Sequence, residues 1–174
     1  MSVATAMRQA EALLAGLRVD AAPVDVRKIA SQLGLRVVEE KLEEDVSGAL
    51  VSNPQRAVIL VNANHSRNRK HFTIAHELGH HVLRHQFEEG GHVHVDRGNY
   101  ISLRGTRASE GVDPKEVEAN WFAASLLMPA TLIREHVEKI GARALHDQHV
   151  IRLAKKFLVS EQAMTIRLST LGFL

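Results

Sequence analysis

The chain has no cysteine, only four prolines, one tryptophan and one tyrosine, and no long uninterrupted apolar run. Without thiols there are no disulfide staples, no thiolate zinc fingers, no iron–sulfur clusters and no thiol nucleophile. Aromatics at 4% supply too few rings for a base-stacking groove along single-stranded nucleic acid. No stretch approaches the roughly twenty apolar residues that a spanning helix needs, so no membrane partner is expected. Charge of one sign is also missing. Lys and Arg number 22 against 20 Asp and Glu, and a net +2 does not by itself announce a polyanion. The apolar share of 45% fits a globular chain with a real core and excludes disorder. Near the N-terminus, Arg8, Glu11 and Arg18 surround Ala12–Ala15 in an amphipathic pattern unlike an export signal. A cytoplasmic chain is the expectation. What the sequence has in quantity is histidine, eleven in 174 residues, which raises the question of metal.

Apolar spacing predicts a helix over residues 3–17 and a second one opened by Pro23 and stopped by Gly34. Leu35–Val38, Gly48–Val51 and Ala57–Val61 are short apolar runs between turn residues and read as strands of one small sheet. The last is apolar on both faces, as in a strand covered by a helix. It is also the strand expected to pair with an extended peptide segment through backbone hydrogen bonds. The period becomes helical from Arg67 to His85, with Phe72, Ile74, Ala75, Leu78, Val82 and Leu83 apolar. Residues 86–112 lose periodicity and read as a long loop with a strand at Val93–Val95. Asp113 and Pro114 then open a helix as N-cap and first helical residue, ending near Pro129. Further helices follow over 130–140, 147–157 and 160–171.

Inside the Arg67–His85 helix stands His76-Glu77-Leu78-Gly79-His80, an H-E-x-x-H pattern. Spacing of i and i+4 puts both imidazoles on one face, within reach of one ion. Glu77, beside the first histidine, can take a proton from a water on that ion without displacing it. Gly79 costs about 1 kcal/mol of helix propensity against alanine and calls for a reason such as close approach of another element.

A catalytic zinc needs a third protein ligand, and Glu116, Glu118, His92, His94 and His85 are candidates. Glu116 and Glu118 project about 200° apart on a helix, so only one can serve. Glu116 shares its face with Asn120, Ala123, Ala124 and Leu127, which suits a buried contact, yet Asp113-Pro114-Lys115-Glu116 also reads as a capping box. Spacing leaves the choice open. His81 and His85 lie on a neighbouring face and read as solvent-facing. His92 and His94 share one side of a strand; His94, Tyr100 and Arg104 are candidate transition-state donors.

These residues carry a family resemblance. Arg69-Lys70-His71-Phe72-Thr73-Ile74-Ala75-His76-Glu77-Leu78-Gly79-His80 resembles the R-x-x-F-T-x-A-H-E-L-G-H signature of ImmA/IrrE-type zinc metallopeptidases. Glu116 through Pro129 is similar to that family's second block, E-x-E-A-N-x-F-A-A-x-L-L-M-P. The segment from Pro23 to Gly34, Ser47–Leu50 and Asn62 follow the pattern too, so the resemblance spans roughly residues 20–130. Lys70-His71 departs from the basic pair that members often carry. The resemblance implies an α+β, zincin-like fold: a small, mostly antiparallel sheet packed against the H-E-x-x-H helix and further helices. It implies one zinc per chain, with manganese as the alternative, held by His76, His80 and Glu116, with Asn120 as a supporting neighbour and Glu77 as the catalytic base. The implied substrate is a helix-turn-helix repressor, encoded nearby, whose cleavage releases stress-response or mobile-element genes. On this reading residues 1–140 form the metallopeptidase domain and 141–174 a helical tail packed on it, in a monomer or weak dimer.

Residues Leu153–Leu168 look like helix, tight turn and helix, with Ser160 as N-cap. Two readings stand. Gln162, Thr165, Arg167 and Ser169 could be exposed to read DNA, helped by five basic against two acidic residues after residue 142. Alternatively Leu153, Phe157, Val159, Ile166 and Leu171 pack the tail on the body. The competing function is a non-catalytic metal-binding regulator, or a toxin–antitoxin-type partner that binds DNA or a repressor through these helices.

Overall fold

A computed structural model describes residues 2–53, 56–85, 93–96, 113–141 and 145–174. Among these residues seven helices and four strands run in the order α1 (Val3–Gly16), α2 (Val26–Gln32), β1 (Leu35–Glu40), β2 (Gly48–Asn53), β3 (Arg56–Asn62), α3 (Arg67–Val82), β4 (Val93–Asp96), α4 (Pro114–Leu127), α5 (Ala130–Ile140), α6 (Asp147–Phe157) and α7 (Glu161–Thr170). The class is α+β, as the resemblance implies. Helix α2 begins later than Pro23 suggests: Asp25 is its N-cap and accepts from Lys28 N at 3.0 Å. A capping carboxylate on the orphan N–H groups outweighs the preference of proline for a first turn. Gly34 does end the helix, at φ +78°.

The sheet order is β1-β3-β2-β4. β2 is antiparallel to both β3 and β4, while β1 is parallel to β3, so the sheet is mixed. Two of the three pairings are antiparallel, as expected, but the expected substrate-pairing strand is corrected. β3 is hydrogen-bonded to β1 on one side and β2 on the other, which leaves no backbone groups to pair with a substrate. Apolar residues on both faces mark it as a central strand. Among the described residues the unpaired edge next to the site is that of β4.

Helix α3 packs on β2 and β3 and also on α4, which α1 covers. Close approach has a sequence cause at each contact. A Cβ on Gly48 would stand 2.4 Å from Thr73 Cγ2 and 2.6 Å from the Leu60 carbonyl oxygen. One on Gly79 would stand 3.2 Å from Ala119 Cα, Ala119 O and Phe122 Cδ1, so the glycine that weakens α3 lets α4 lie against it. Asn62, buried at the end of β3, donates to Val46 O at 2.8 Å and Glu43 O at 3.0 Å and ties down the turn before β2. Among the described residues no helix is long and apolar enough to cross a membrane.

The C-terminal helices share the core: Leu153, Phe157, Val159, Met164 and Leu168 are buried in the same cluster as Ile74, Leu78 and Phe122, with Ile166 and Leu171 partly buried against it. Gln162, Thr165 and Ser169 are exposed. Arg167 is not. It is 1% exposed, and its Nε donates to Met128 O at 3.0 Å. It faces the body because its position on α7 lies between Met164 and Leu168, both fully buried.

Candidate metal centre

The H-E-x-x-H segment lies in the second half of α3, with His76, Glu77 and His80 all buried. One helical turn separates the imidazoles, and their Nε2 atoms come to 3.0 Å of each other. α4 brings a carboxylate to the same point: Glu116 Oε2 lies 3.2 Å from His76 Nε2, and Glu116 Oε1 lies 3.3 Å from His80 Nε2. The capping-box reading of Glu116 is thereby overturned. Asp113 Oδ1 caps α4 by accepting from Lys115 N at 2.9 Å, and the Glu116 side chain turns to the histidines instead. Asn120, one turn further along α4, places its Oδ1 3.0 Å from His76 Nδ1. That contact puts the proton on Nδ1 and leaves the Nε2 lone pair facing the shared point.

Three residues complete the surroundings. His94 on β4 stands between two carboxylates, with Nδ1 at 3.3 Å from Glu77 Oε2 and Nε2 at 3.0 Å from Glu116 Oε1. His85, read from the sequence as solvent-facing, packs its side chain against His80: the two Nδ1 atoms are 2.9 Å apart, and His85 Nε2 lies 3.1 Å from Glu118 Oε2. The helix ends before His85. Arg84 takes a left-handed φ of +55°, His85 N donates to His80 O at 3.1 Å, and the turn sets the His85 ring against His80. No glycine marks that turn, so the sequence gives no warning of it. Asp96, two residues beyond His94 on the same strand face, groups with His76 and Glu77, their potential ligand atoms all within 4.8 Å of one another. Asp96 is not among the residues that the motifs single out, although the strand period that pairs His92 with His94 extends to it. His92, Tyr100 and Arg104 lie outside the described residues.

The electrostatics follow from burial against charge. Burial would raise the Glu116 carboxyl, but His76, His80 and His94 hold it well below the ordinary range. Burial pulls His80 down to about 3, against the pull of Glu116. Burial lowers His94 too, yet Glu116 and Glu77, one on each ring nitrogen, outweigh it and push it up to about 10. Burial raises Glu77 above the usual carboxylate range, with His94 and His76 opposing.

Two observations test whether these residues suit a metal ion. His76, His80 and Glu116 offer two imidazole nitrogens and a carboxylate oxygen within 4.8 Å of one another, the donor set of a three-ligand zinc site. Glu77 Oε1 is buried and has no hydrogen-bond partner among the described residues. A bare buried carboxylate oxygen costs on the order of 1–3 kcal/mol unless a donor meets it, and a water on an ion at the shared point is such a donor. The residues fit.

A family model, the IrrE N-terminal-like domain, matches residues 30–169. The radiation response metalloprotease IrrE of Deinococcus radiodurans is 33% identical over 110 residues, which is 62% of this chain and 29% of that protein. The uncharacterized immunity region protein 2 of Bacillus phage phi105 is 28% identical over 109 residues, 63% of this chain and 61% of the phage protein. The matched region covers less than two thirds of either relative's own length.

Proposed function

Since the chain belongs to the IrrE N-terminal-like domain family of peptidases, we propose that it is a zinc-dependent endopeptidase that cleaves a helix-turn-helix transcriptional repressor encoded nearby. One observation carries the reading: His76, His80 and Glu116 converge while Glu77 beside them keeps a buried, unbonded oxygen. A zinc ion held by the three ligands supplies polarisation of the scissile carbonyl and a water acidified to a pKa of about 7. Glu77 takes the water's proton at Oε1 and passes it to the leaving nitrogen. Its burial suits the task, because a carboxyl pushed up in pKa can hold a proton between the two transfers. Asn120 keeps His76 in the tautomer that leaves Nε2 free. The names of the relatives, a radiation response metalloprotease and a phage immunity-region protein, support a substrate in gene control.

A metal sensor or DNA-binding module would give Glu77 no task, and the burial of Arg167 removes one of the four side chains a DNA-reading α7 would present. The test is Glu77→Gln. The variant should keep zinc and its melting temperature yet lose cleavage of the neighbouring repressor by about 10²–10⁴-fold, followed on gels. Cleavage at the unaltered rate would remove Glu77 from the mechanism. His80→Ala should lose zinc as well, and undiminished zinc content would show the ligand set to be wrong.

A further inference from the structure

A second line of polar groups runs behind His80. His80 Nδ1 lies 2.9 Å from His85 Nδ1, and His85 Nε2 lies 3.1 Å from Glu118 Oε2. The side chains of His85 and Glu118 are each 6% exposed, so water does little to share these bonds. With both imidazoles neutral, the row admits one consistent set of protons. A carboxylate only accepts, so His85 donates from Nε2 to Glu118. A neutral His85 then has its lone pair at Nδ1 and accepts the Nδ1–H of His80. The lone pair of His80 is left at Nε2, the atom that lies 3.0 Å from His76 Nε2 and 3.3 Å from Glu116 Oε1.

We propose that His85 and Glu118 are positioning residues for the metal: they fix the tautomer and direction of His80 from behind, as Asn120 does for His76. The inference rests on the reading of His76, His80 and Glu116 as ligands. It assigns both acidic residues at the start of α4, which project from opposite sides of the helix. Glu116 reaches the shared point, while Glu118 reaches His85, which backs the His80 ring. The two histidines are held differently. His76 leans on a neutral amide, whereas His80 leans on a carboxylate relayed through an imidazole, which draws on its proton and makes Nε2 the stronger donor.

The test is zinc affinity, measured by competition with a chelator, together with the visible spectrum of the cobalt-substituted protein. Glu118→Ala and His85→Ala should each weaken zinc binding by about 10–100-fold and shift the cobalt bands. Glu118→Gln keeps an amide oxygen to accept from His85 Nε2 and should recover affinity to within about threefold of the unaltered chain. Unaltered affinity and bands in both alanine variants would overturn the inference. Glu116→Ala runs beside them: its loss of zinc in that case leaves the ligand reading standing, and its full retention of zinc brings that reading down instead. Long-range proton–nitrogen correlation on the zinc-loaded, unsubstituted chain needs no variant to fold. It should find His80 protonated at Nδ1 and His85 at Nε2, and a proton on His85 Nδ1 would overturn the proposal.

Discussion

His94 has both ring nitrogens on carboxylates, Glu77 on one side and Glu116 on the other. It therefore sets the separation of the residue proposed as base and the residue proposed as third ligand. His94→Ala leaves Glu77 Oε2 buried without that donor, a cost of about 1–3 kcal/mol borne at the site itself. We expect kcat for repressor cleavage to fall by about 10–100-fold with zinc still bound, and an unchanged kcat would show that His94 has no part in the reaction. At this scale the sequence is legible where chemistry is local. His76, Glu77 and His80 need only helical spacing to share a face. Glu116 needs more, because the same four residues spell a cap, and only the packing of α4 on α3 decides between a backbone N–H and three imidazoles as its partners. His85 and Asp96 are hidden for a different reason. One depends on a left-handed arginine, the other on the register of an edge strand, and neither leaves a mark in composition.

The pairing of α3 with α4 is the element-scale event that makes the site, since one helix brings His76, Glu77 and His80 and the other Glu116, Glu118 and Asn120. Gly79 permits it. A Cβ there would meet backbone atoms of Ala119 at 3.2 Å, and backbone cannot swing aside as a long side chain can. Gly79→Val should therefore force the helices apart and destabilise the chain by about 1–3 kcal/mol, a drop of about 2–4 °C in Tm for each kcal/mol. Zinc affinity should fall in the same variant, because Glu116 and Asn120 move with Ala119. A melting temperature and zinc affinity equal to the original would mean that the contact is loose. The sequence shows that this glycine needs a neighbour but not which one. The sheet is similar. Strand content is legible from short apolar runs, while the order β1-β3-β2-β4 depends on pairings between residues far apart in the chain, which periodicity does not encode. A run apolar on both faces was compatible with an edge beside the helix or with the middle of the sheet, and pairing on both sides decided it.

For the whole molecule, the question is whether the last two helices are a separate device or part of the body. Asn68 on α3 donates to Val159 O at 3.0 Å, a His71 ring nitrogen lies 3.1 Å from Leu158 O, and Arg167 on α7 donates to Met128 O at the end of α4. The ring of Phe157 sits 5.4 Å from that of His136 on α5. Leu153, Phe157, Val159, Met164 and Leu168 are buried in the common core. Burying each such side chain contributes about 1.5–3 kcal/mol, so together they are comparable to the whole stability of a typical domain, about 5–15 kcal/mol. A chain ended at Gly141 should consequently lose its cooperative melting transition by circular dichroism, and the full chain should melt in one step. Were the shortened chain to melt with the same midpoint as the full one and still bind zinc, the tail would be an independent unit, free to act on DNA apart from the peptidase. The burial of Leu153, Phe157, Val159, Met164 and Leu168 argues for the first outcome, because all five apolar side chains must enter water whenever these helices leave the body.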